Sequence, residues 1–297
     1  MNILIVGKTG QLANELLACT PANTTITCVG RPELDITDAG AVLAFMQRIK
    51  PAVVINASAY TAVDQAEAEQ AQAFAVNAQG VKHLAEAAKY VNARLLHVST
   101  DFVFGNTSAV TIDGIAPLLP SAPANPVSVY GASKLAGEQH IQTILPHASV
   151  IVRTAWVYSV HGNNFVKTML NLMATKPSLG IIADQIGTPT WAKGLAQWLW
   201  AVAAKPQVQG IHHWSDAGVA SWYDFAVAIQ HLALQKGLLT QAIPINPLPT
   251  SGYPTPAKRP GYSVLDKTSA EQATGLHAKH WQQQLSTMLD ELHALNF

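Results

Sequence analysis

Charge is scarce in this sequence. Only 12% of its 297 residues are charged, while 49% are hydrophobic, and a usual charged share is about 25%. Disorder needs low hydrophobicity and high net charge, so it is excluded. Basic and acidic residues number 18 each, giving a net charge of zero. A chain so balanced has no overall electrostatic footprint for DNA or RNA. The two cysteines, Cys19 and Cys28, are too few for a disulfide scaffold and lack a zinc spacing. Cys28 lies in an apolar run and reads as a small core residue. The start lacks a basic n-region and is too short for a signal h-region, and no run of about 18 apolar residues occurs. The expectation is a soluble, cytoplasmic protein with no nucleic-acid or membrane partner. Histidines offer no His-Glu-x-x-His pattern. His212 and His213 alternate sides of an expected strand, and His277 and His280 have no third ligand nearby.

What is present is alternation. Strand-length apolar runs at 2–6, 25–29, 52–56, 95–98 and 151–156 are interleaved with helical patterns at 11–19, 39–49, 69–90 and 129–144. Short apolar strands alternating with helices imply an α/β fold, a doubly wound parallel sheet covered on both faces. Ligands of such sheets bind beyond the carboxyl ends of the strands. At roughly 150 residues per domain the length allows two domains. Helical patterns recur at 191–203, 221–235 and 279–295, while 105–126 and 244–260, rich in proline, read as loops. Asp113 is the only acid of the first loop.

The first strand runs into Gly7-x-x-Gly10-x-x-Ala13, which opens the first helix. One glycine permits the tight turn, the second lets backbone approach a pyrophosphate, and a small third residue lets helix and strand pack. The helix N-terminus then offers N–H donors to phosphate. Without a ligand the same residues make an ordinary tight turn. An NAD-selective site expects an acid at the end of the second strand, where this chain has Arg31. The Arg31 fork suits the 2′-phosphate of NADP, or it is a solvated surface side chain. Asp35 and Ile36 follow, where the chain can fold over an adenine.

Tyr130 is followed four residues later by Lys134, so on a helix the two share a face. An ammonium beside a phenol favours the phenolate and lowers the Tyr pKa toward working pH. Tyr130 could then donate a proton to a carbonyl oxygen as hydride reaches carbon, with the Thr100 hydroxyl on the same oxygen. An ordinary surface Tyr and Lys is the alternative. Arg259, near Tyr253 and Lys258 in the second loop, is the candidate for a diphosphate, because its guanidinium grips phosphate in two-pronged fashion. The alternative is a loop Arg paired with a nearby acid.

Together these motifs resemble the extended short-chain dehydrogenase/reductases and, within them, the dTDP-4-dehydrorhamnose reductase family. The stretches that carry the resemblance are 2–12, 54–64, 99–104, 130–138, 153–158, 184–190 and 259–266, in family order across nearly the whole chain. The resemblance implies a Rossmann-type NAD(P)-binding domain at 1–156 and a smaller sugar-nucleotide domain at 157–297, part of 191–220 returning to the sheet. It implies NAD(P)H-dependent reduction of the C4 ketone of dTDP-4-dehydro-L-rhamnose, with NADPH expected and NADH allowed. Tyr130 would be the proton donor, Lys134 its tuner and ribose ligand, and Thr100 the partner of the substrate oxygen. Gly7, Gly10, Gln11, Leu12, Arg31, Asp35, Ile36, Ala59, Tyr60 and Thr61 would line the cofactor. Thr100, Asp101, Trp156 and Arg259 would touch the substrate.

The chain departs from that family at the longer 105–126 loop and at a magnesium site which some members share between subunits. Glu15 and Glu291 match two of its glutamates, but Lys193 stands at the third position, and an ammonium cannot ligate a cation. Magnesium is therefore not expected, and the resemblance leaves a homodimer open. Dehydratases of the superfamily place an acid pair after the strand-end Thr, whereas Asp101 here precedes Phe102, which cannot move protons. The remaining alternatives are a non-catalytic NADP-binding regulatory subunit, like the relative that serves methionine adenosyltransferase, and a reductase of a different dTDP-4-keto-6-deoxy sugar.

Overall fold

The computed structural model describes residues 1–105, 110–111 and 114–295; Asp113 lies outside them. Six parallel strands form the central sheet: β1 (Asn2–Val6), β2 (Thr25–Val29), β3 (Val53–Asn56), β4 (Arg94–Thr100), β5 (Ser149–Thr154) and β6 (Gly210–His213). Their spatial order is β2-β1-β3-β4-β5-β6, so the order reverses between β1 and β3. In doubly wound sheets the crevice at such a reversal is the ligand site. β1, β3 and β5 consist almost entirely of buried residues, as strands covered on both faces must.

Two apolar layers cover the sheet. On one face the helices Gln11–Ala18 and Ala192–Ala203 pack Leu16, Leu195, Trp198 and Leu199 against Ile3, Ile5 and Ile55. On the other, Ala39–Ile49 and Val81–Tyr90 bring Val42, Met46, Leu84 and Ala88 against Leu4, Val54 and Leu95. A separate core lies in the later part of the chain. There Tyr158, Met169, Phe225, Ile229, Trp281 and Leu285 join the helices Phe165–Thr175, Trp222–Gln235 and Trp281–Ala294. Among the described residues no helix is long and apolar enough to cross a membrane.

Three sequence expectations are modified. The helix expected over 69–90 contains a π-helical segment at Ala75–Gly80, between Gln70–Phe74 and Val81–Tyr90. An Ala-rich pattern does not reveal the extra residue in that turn, which turns Asn77 inward, buried. Within the first loop Val110–Thr111 pairs antiparallel with Gly114–Ile115. In the second, Ile245–Leu248 pairs parallel with Leu179–Ile182 in a two-stranded sheet despite Pro247, an edge position where proline is tolerated.

Candidate active site

At the end of β1 the chain turns sharply. Gly7 takes φ +113°, and the N–H groups of Gly7 and Lys8 both donate to the Val29 carbonyl, at 2.9 and 3.0 Å. A Cβ on Gly7 would lie 2.8 Å from the Ala57 carbonyl carbon, so β1 and the β3 loop approach as closely as only glycine permits. Gly10 caps the helix Gln11–Ala18 in extended conformation without a side-chain cap bond. The first-turn N–H donors therefore have no side-chain acceptor of their own, which suits an anion. These features open on a cleft of about 930 Å³ lined by Gly7, Gly10, Gln11, Leu12, Arg31, Asp35, Ile36, Ala59, Tyr60 and Thr61. The glycine cradle, the helix terminus and the cleft's size fit a dinucleotide.

Around that wall, Arg31 donates from Nε to Asp35 at 3.1 Å, and its side chain is 75% exposed. Hydrogen bonds from Thr37, then the Arg31 contact, hold the Asp35 carboxyl below its ordinary range against a small burial penalty. Ile36 lies where a Cβ on Gly80 would touch it. Asn77 accepts the Tyr60 N–H at 2.8 Å and donates to the Tyr60 carbonyl and to Ser133 Oγ, both at 3.0 Å. The π-helical turn thereby ties the Ala59–Thr61 loop to the helix that carries Tyr130. Asn77 escaped the sequence reading, since nothing local distinguishes it from a solvated helix residue.

That second helix, Val129–Ile144, is capped by Ser128, whose side chain accepts the Gly131 N–H. Glu67 accepts the Val129 N–H at 2.8 Å. Its buried face is Tyr130, Ser133, Lys134, Gly137, Glu138 and Ile141, a helical stripe that is mostly polar. Such a stripe is costly unless every group is paired; Ser133 is held by Asn77 and the Tyr130 carbonyl, and Glu138 and Lys134 find partners from the sheet. Arg153 of β5 forms a buried fork on Glu138, with Nη2–Oε2 at 2.7 Å and Nε–Oε1 at 3.0 Å, and Ser99 Oγ donates to Glu138 at 2.5 Å. Lys134 donates to the Val98 carbonyl at 2.7 Å and lies 3.4 Å from His97 Nε2.

Thr100 ends β4, and its Oγ1 donates to Asp101 Oδ1 at 3.1 Å while accepting the Phe102 N–H. Thr100, Asp101, Tyr130, Lys134 and Trp156 all line the same cleft as the glycine turn. Burial, the largest cause, pushes the Tyr130 phenol up to about 12; a hydrogen bond with Thr100 pulls it down and the Asp101 charge adds to the rise. The sequence expectation of a lowered Tyr130 pKa is thus corrected. Lys134 is turned onto Val98 and His97 rather than onto the phenol, and desolvation dominates. The same burial pushes Lys134 down to about 8 against the opposing pull of Glu138. It also raises Asp101 to about 6, countered by hydrogen bonds from Ser263 and Thr100.

Trp156 holds a left-handed backbone, φ +48°, uncommon for a bulky residue. Its ring stacks on Trp222 at 3.6 Å between centroids and 9° between planes. Gly187 makes room beneath it, since a Cβ there would lie 2.8 Å from Trp156 Cε2. Trp222 was also invisible to sequence reasoning, because only the second core brings it against Trp156.

Arg259 departs from expectation. It is absent from the cleft lining; Nη2 donates to Asp64 Oδ2 at 2.7 Å and Nη1 to Asp64 Oδ1 at 3.1 Å. Nη1 also reaches Thr255 Oγ1 at 2.6 Å and the Ala257 carbonyl at 3.0 Å. Its two-pronged geometry is used on a carboxylate of the helix Val63–Ala66, not held open for phosphate. Elsewhere Lys193 donates to Glu291 at 2.6 Å, and buried Glu15 accepts from Ser159 at 2.7 Å and Trp191 Nε1 at 3.3 Å. An ammonium and two donors on these glutamates do not fit a cation. His212 bonds Ser269 and the Gln209 carbonyl, His277 contacts Glu271, and His280 caps the last helix. His213 is buried with its ring edge-on to Phe104.

Residues 1–294 match the family described as RmlD substrate binding domain. A dTDP-4-dehydrorhamnose reductase of Aggregatibacter actinomycetemcomitans is 41% identical over 293 residues, covering 96% of this chain and 97% of that protein. A crystal structure of a dTDP-4-dehydrorhamnose reductase from Clostridium acetobutylicum superposes with TM-score 0.90 at 39% identity, covering 99% of this chain and 100% of the other. Another from Bacillus anthracis, in complex with NADP, gives TM-score 0.89 at 32% identity over 98% of this chain and 99% of the other.

Proposed function

This chain belongs to the RmlD substrate-binding-domain family, that of the dTDP-4-dehydrorhamnose reductases, and from that premise we propose that it reduces the C4 ketone of dTDP-4-dehydro-L-rhamnose with NADPH, giving dTDP-L-rhamnose. One observation carries the reading. Thr100, Tyr130 and Lys134 meet at the carboxyl end of β4 in the cleft that the Gly7–Gly10 turn opens.

Gly7, Gly10, Gln11, Leu12, Ala59, Tyr60 and Thr61 would hold the dinucleotide, with Arg31 by its ribose phosphate and Asp35 and Ile36 by the adenine. When bound, NADPH supplies the hydride. The protein's part is the proton and the alignment. Tyr130 keeps its phenolic proton at neutral pH, so it meets the ketone oxygen as an acid, and the Thr100 hydroxyl steadies the same oxygen. Proton donation by a positioned side chain contributes about 10²–10⁴-fold. Residues 1–156 would serve the cofactor and 157–297 the sugar nucleotide, part of 191–220 returning to the sheet, with Asp101 and Trp156 facing the sugar from the first segment. A homodimer in the cytoplasm completes the reading. It includes no magnesium, because Lys193 already neutralises Glu291.

The test is purified protein mixed with NADPH and a panel of dTDP-, UDP- and GDP-4-keto-6-deoxy sugars, followed by loss of nicotinamide absorbance. Turnover confined to the dTDP-4-dehydro-L-rhamnose arm is expected. Turnover of another dTDP sugar reassigns the substrate, and NADPH binding without turnover makes the chain a non-catalytic subunit.

A further inference from the structure

Trp156 lines the cleft, but the residues that hold it there do not: Trp222 and Gly187 are both absent from the lining. Trp222 closes one face of the Trp156 ring, 3.6 Å away. The Gly187 backbone abuts the same ring, since a Cβ there would lie 2.8 Å from Cε2 and 3.0 Å from Cζ2. Both come from one short antiparallel ribbon, in which Gly187 pairs with Ala220 and Ile186 with Ser221. Trp222 follows as the first residue of the helix Trp222–Gln235, whose start is fixed by reciprocal bonds between Ser221 and Asp224 at 2.8 and 3.0 Å. Behind Trp222 stand Phe165 at 4.7 Å and the fully buried Phe225 at 6.5 Å, both packed in the second core. The ribbon also reaches the reacting end. Ser263 donates its N–H to the Ile186 carbonyl at 2.8 Å, and its side chain hydrogen-bonds Asp101.

Trp156 holds two unfavoured geometries at once. Its φ of +48° is one that a bulky residue keeps only where its surroundings over-determine it. Aromatic pairs left to themselves prefer offset or edge-on arrangements with centroids roughly 4.5–7 Å apart, whereas this pair is nearly eclipsed at 3.6 Å and 9°. The backbone is pinned too, as the Trp156 carbonyl accepts the Thr190 N–H at 3.1 Å. Such a residue is clamped, and the clamp stands beside the reacting groups. Trp156 follows β5 by two residues, and Thr154 at the end of β5 is the register partner of Thr100.

We propose that Trp222 is a positioning residue for the sugar end of the substrate: stacked on Trp156, it fixes the indole before the ligand arrives. The inference rests on the reading that Trp156 faces the sugar. A flat, rigid indole suits the C–H groups of a deoxy sugar, and a side chain already ordered pays no ordering cost on binding. The docking of the second core against the sheet thereby sets the sugar site, although that core contributes Trp222 only from behind. A Trp222 that merely filled the core would affect stability and not ligand selectivity, and it would act independently of Trp156.

The experiment measures binding of dTDP-L-rhamnose and of dTDP to the NADPH-loaded protein by calorimetry, a combination of reduced cofactor and reduced sugar that cannot turn over. Trp222→Leu should weaken dTDP-L-rhamnose about 3–10-fold, the ordering cost of one side chain, and leave dTDP and NADPH unchanged. Trp156→Leu should weaken it at least as much. The double variant should lose no more than Trp156→Leu alone, because residues that act through one contact are not additive. Trp222→Phe keeps a flat face and should recover most of the loss. Where Trp222→Leu does not fold, Gly187→Ala drives a methyl against the Trp156 ring and should weaken the same ligand. Circular dichroism reads the stack without any ligand. Closely stacked indoles give an exciton couplet, and Trp156→Leu and Trp222→Leu should remove the same one, both keeping the Trp198–Trp214 pair. A couplet unchanged in both variants overturns the proposal. So does a folded Trp222→Leu that binds dTDP-L-rhamnose like the parent while Trp156→Leu does not, or a double variant whose losses add. If the couplet is lost as expected but neither variant moves dTDP-L-rhamnose binding, or the parent does not bind it, the reading of Trp156 at the sugar falls and the proposal with it.

Discussion

On one wall of the cleft, four residues from Gly7 to Gly10 make a binding surface out of backbone. The other wall includes Trp156, which leans on Trp222 at 3.6 Å, and away from the cleft lining Asp64 holds Arg259 at 2.7 Å; both pairs are drawn from distant parts of the chain. The first wall needs only a strand, a turn and a helix start, all local. The second exists only once the later core has docked its helices against the sheet. A backbone site tolerates little change at its glycines and much around them; a side-chain site is sensitive at residues that look unremarkable in sequence.

The Tyr130 proton belongs to the second kind of site, because its neighbours set its behaviour. Tyr130→Phe should lower kcat by about 10²–10⁴-fold while NADPH affinity stays near that of the parent. Near-normal turnover would remove Tyr130 as the donor. Beneath it, Glu138→Ala strands the buried Arg153 guanidinium, and breaking a buried pair costs about 3–5 kcal/mol. Urea unfolding should register that loss. A variant as stable as the parent would mean that the helix does not depend on the pair.

On the backbone wall, Gly7→Ala combines a positive φ with a Cβ 2.8 Å from Ala57. Such strain costs of order 1–3 kcal/mol. The expected outcome is weaker NADPH binding in titration calorimetry with an unchanged KM for the sugar nucleotide; equal losses for both ligands would merge the two walls into one. Arg31→Ala should weaken NADPH by about 1–2 kcal/mol, in the range of hydrogen bonds to charged groups, and leave NADH nearly unchanged. Equal losses for the two cofactors would return Arg31 to the solvated surface.

The smallest effect is expected at the Asp64–Arg259 clasp. Asp64 is held below its ordinary pKa, first by the Arg259 hydrogen bond. The stabilisation is present above the unfolded carboxyl value, near 3.8, and disappears as pH falls through the lowered folded value. For a partly exposed pair it is at most about 1 kcal/mol. Asp64→Asn and Arg259→Lys should therefore lower stability by similar small amounts at pH 7 and leave the sugar-nucleotide KM unchanged. A KM that rises in Arg259→Lys but not in Asp64→Asn would show that the fork leaves Asp64 to take a diphosphate.

Much of the fold was legible because its signals are local. Apolar runs that alternate with helical spacing give the parallel sheet, and Gly7-x-x-Gly10 at the end of the first gives the cofactor turn. The spacing of Tyr130 and Lys134 places both on one helical face, and the strand-end position of Thr100 follows from the run before it. What stayed hidden was pairing. A polar stripe on a buried helix face reads as a solvated face until Arg153, Ser99 and Val98 are set opposite it. The position of Arg259 was legible and its partner was not, because Asp64 lies at the other end of the chain.

By itself, then, the sequence determined where strands, helices and the glycine turn form, since each depends on backbone preferences and a periodicity carried within a few residues. Only the tertiary structure decided the electrostatics. Whether Tyr130 holds its proton and how readily Lys134 gives one up depend on burial and on the facing carboxylates of Asp101 and Glu138. Those terms scale with the distance and solvent exclusion between residues far apart in the chain, and neither quantity is set until the sheet has closed around them.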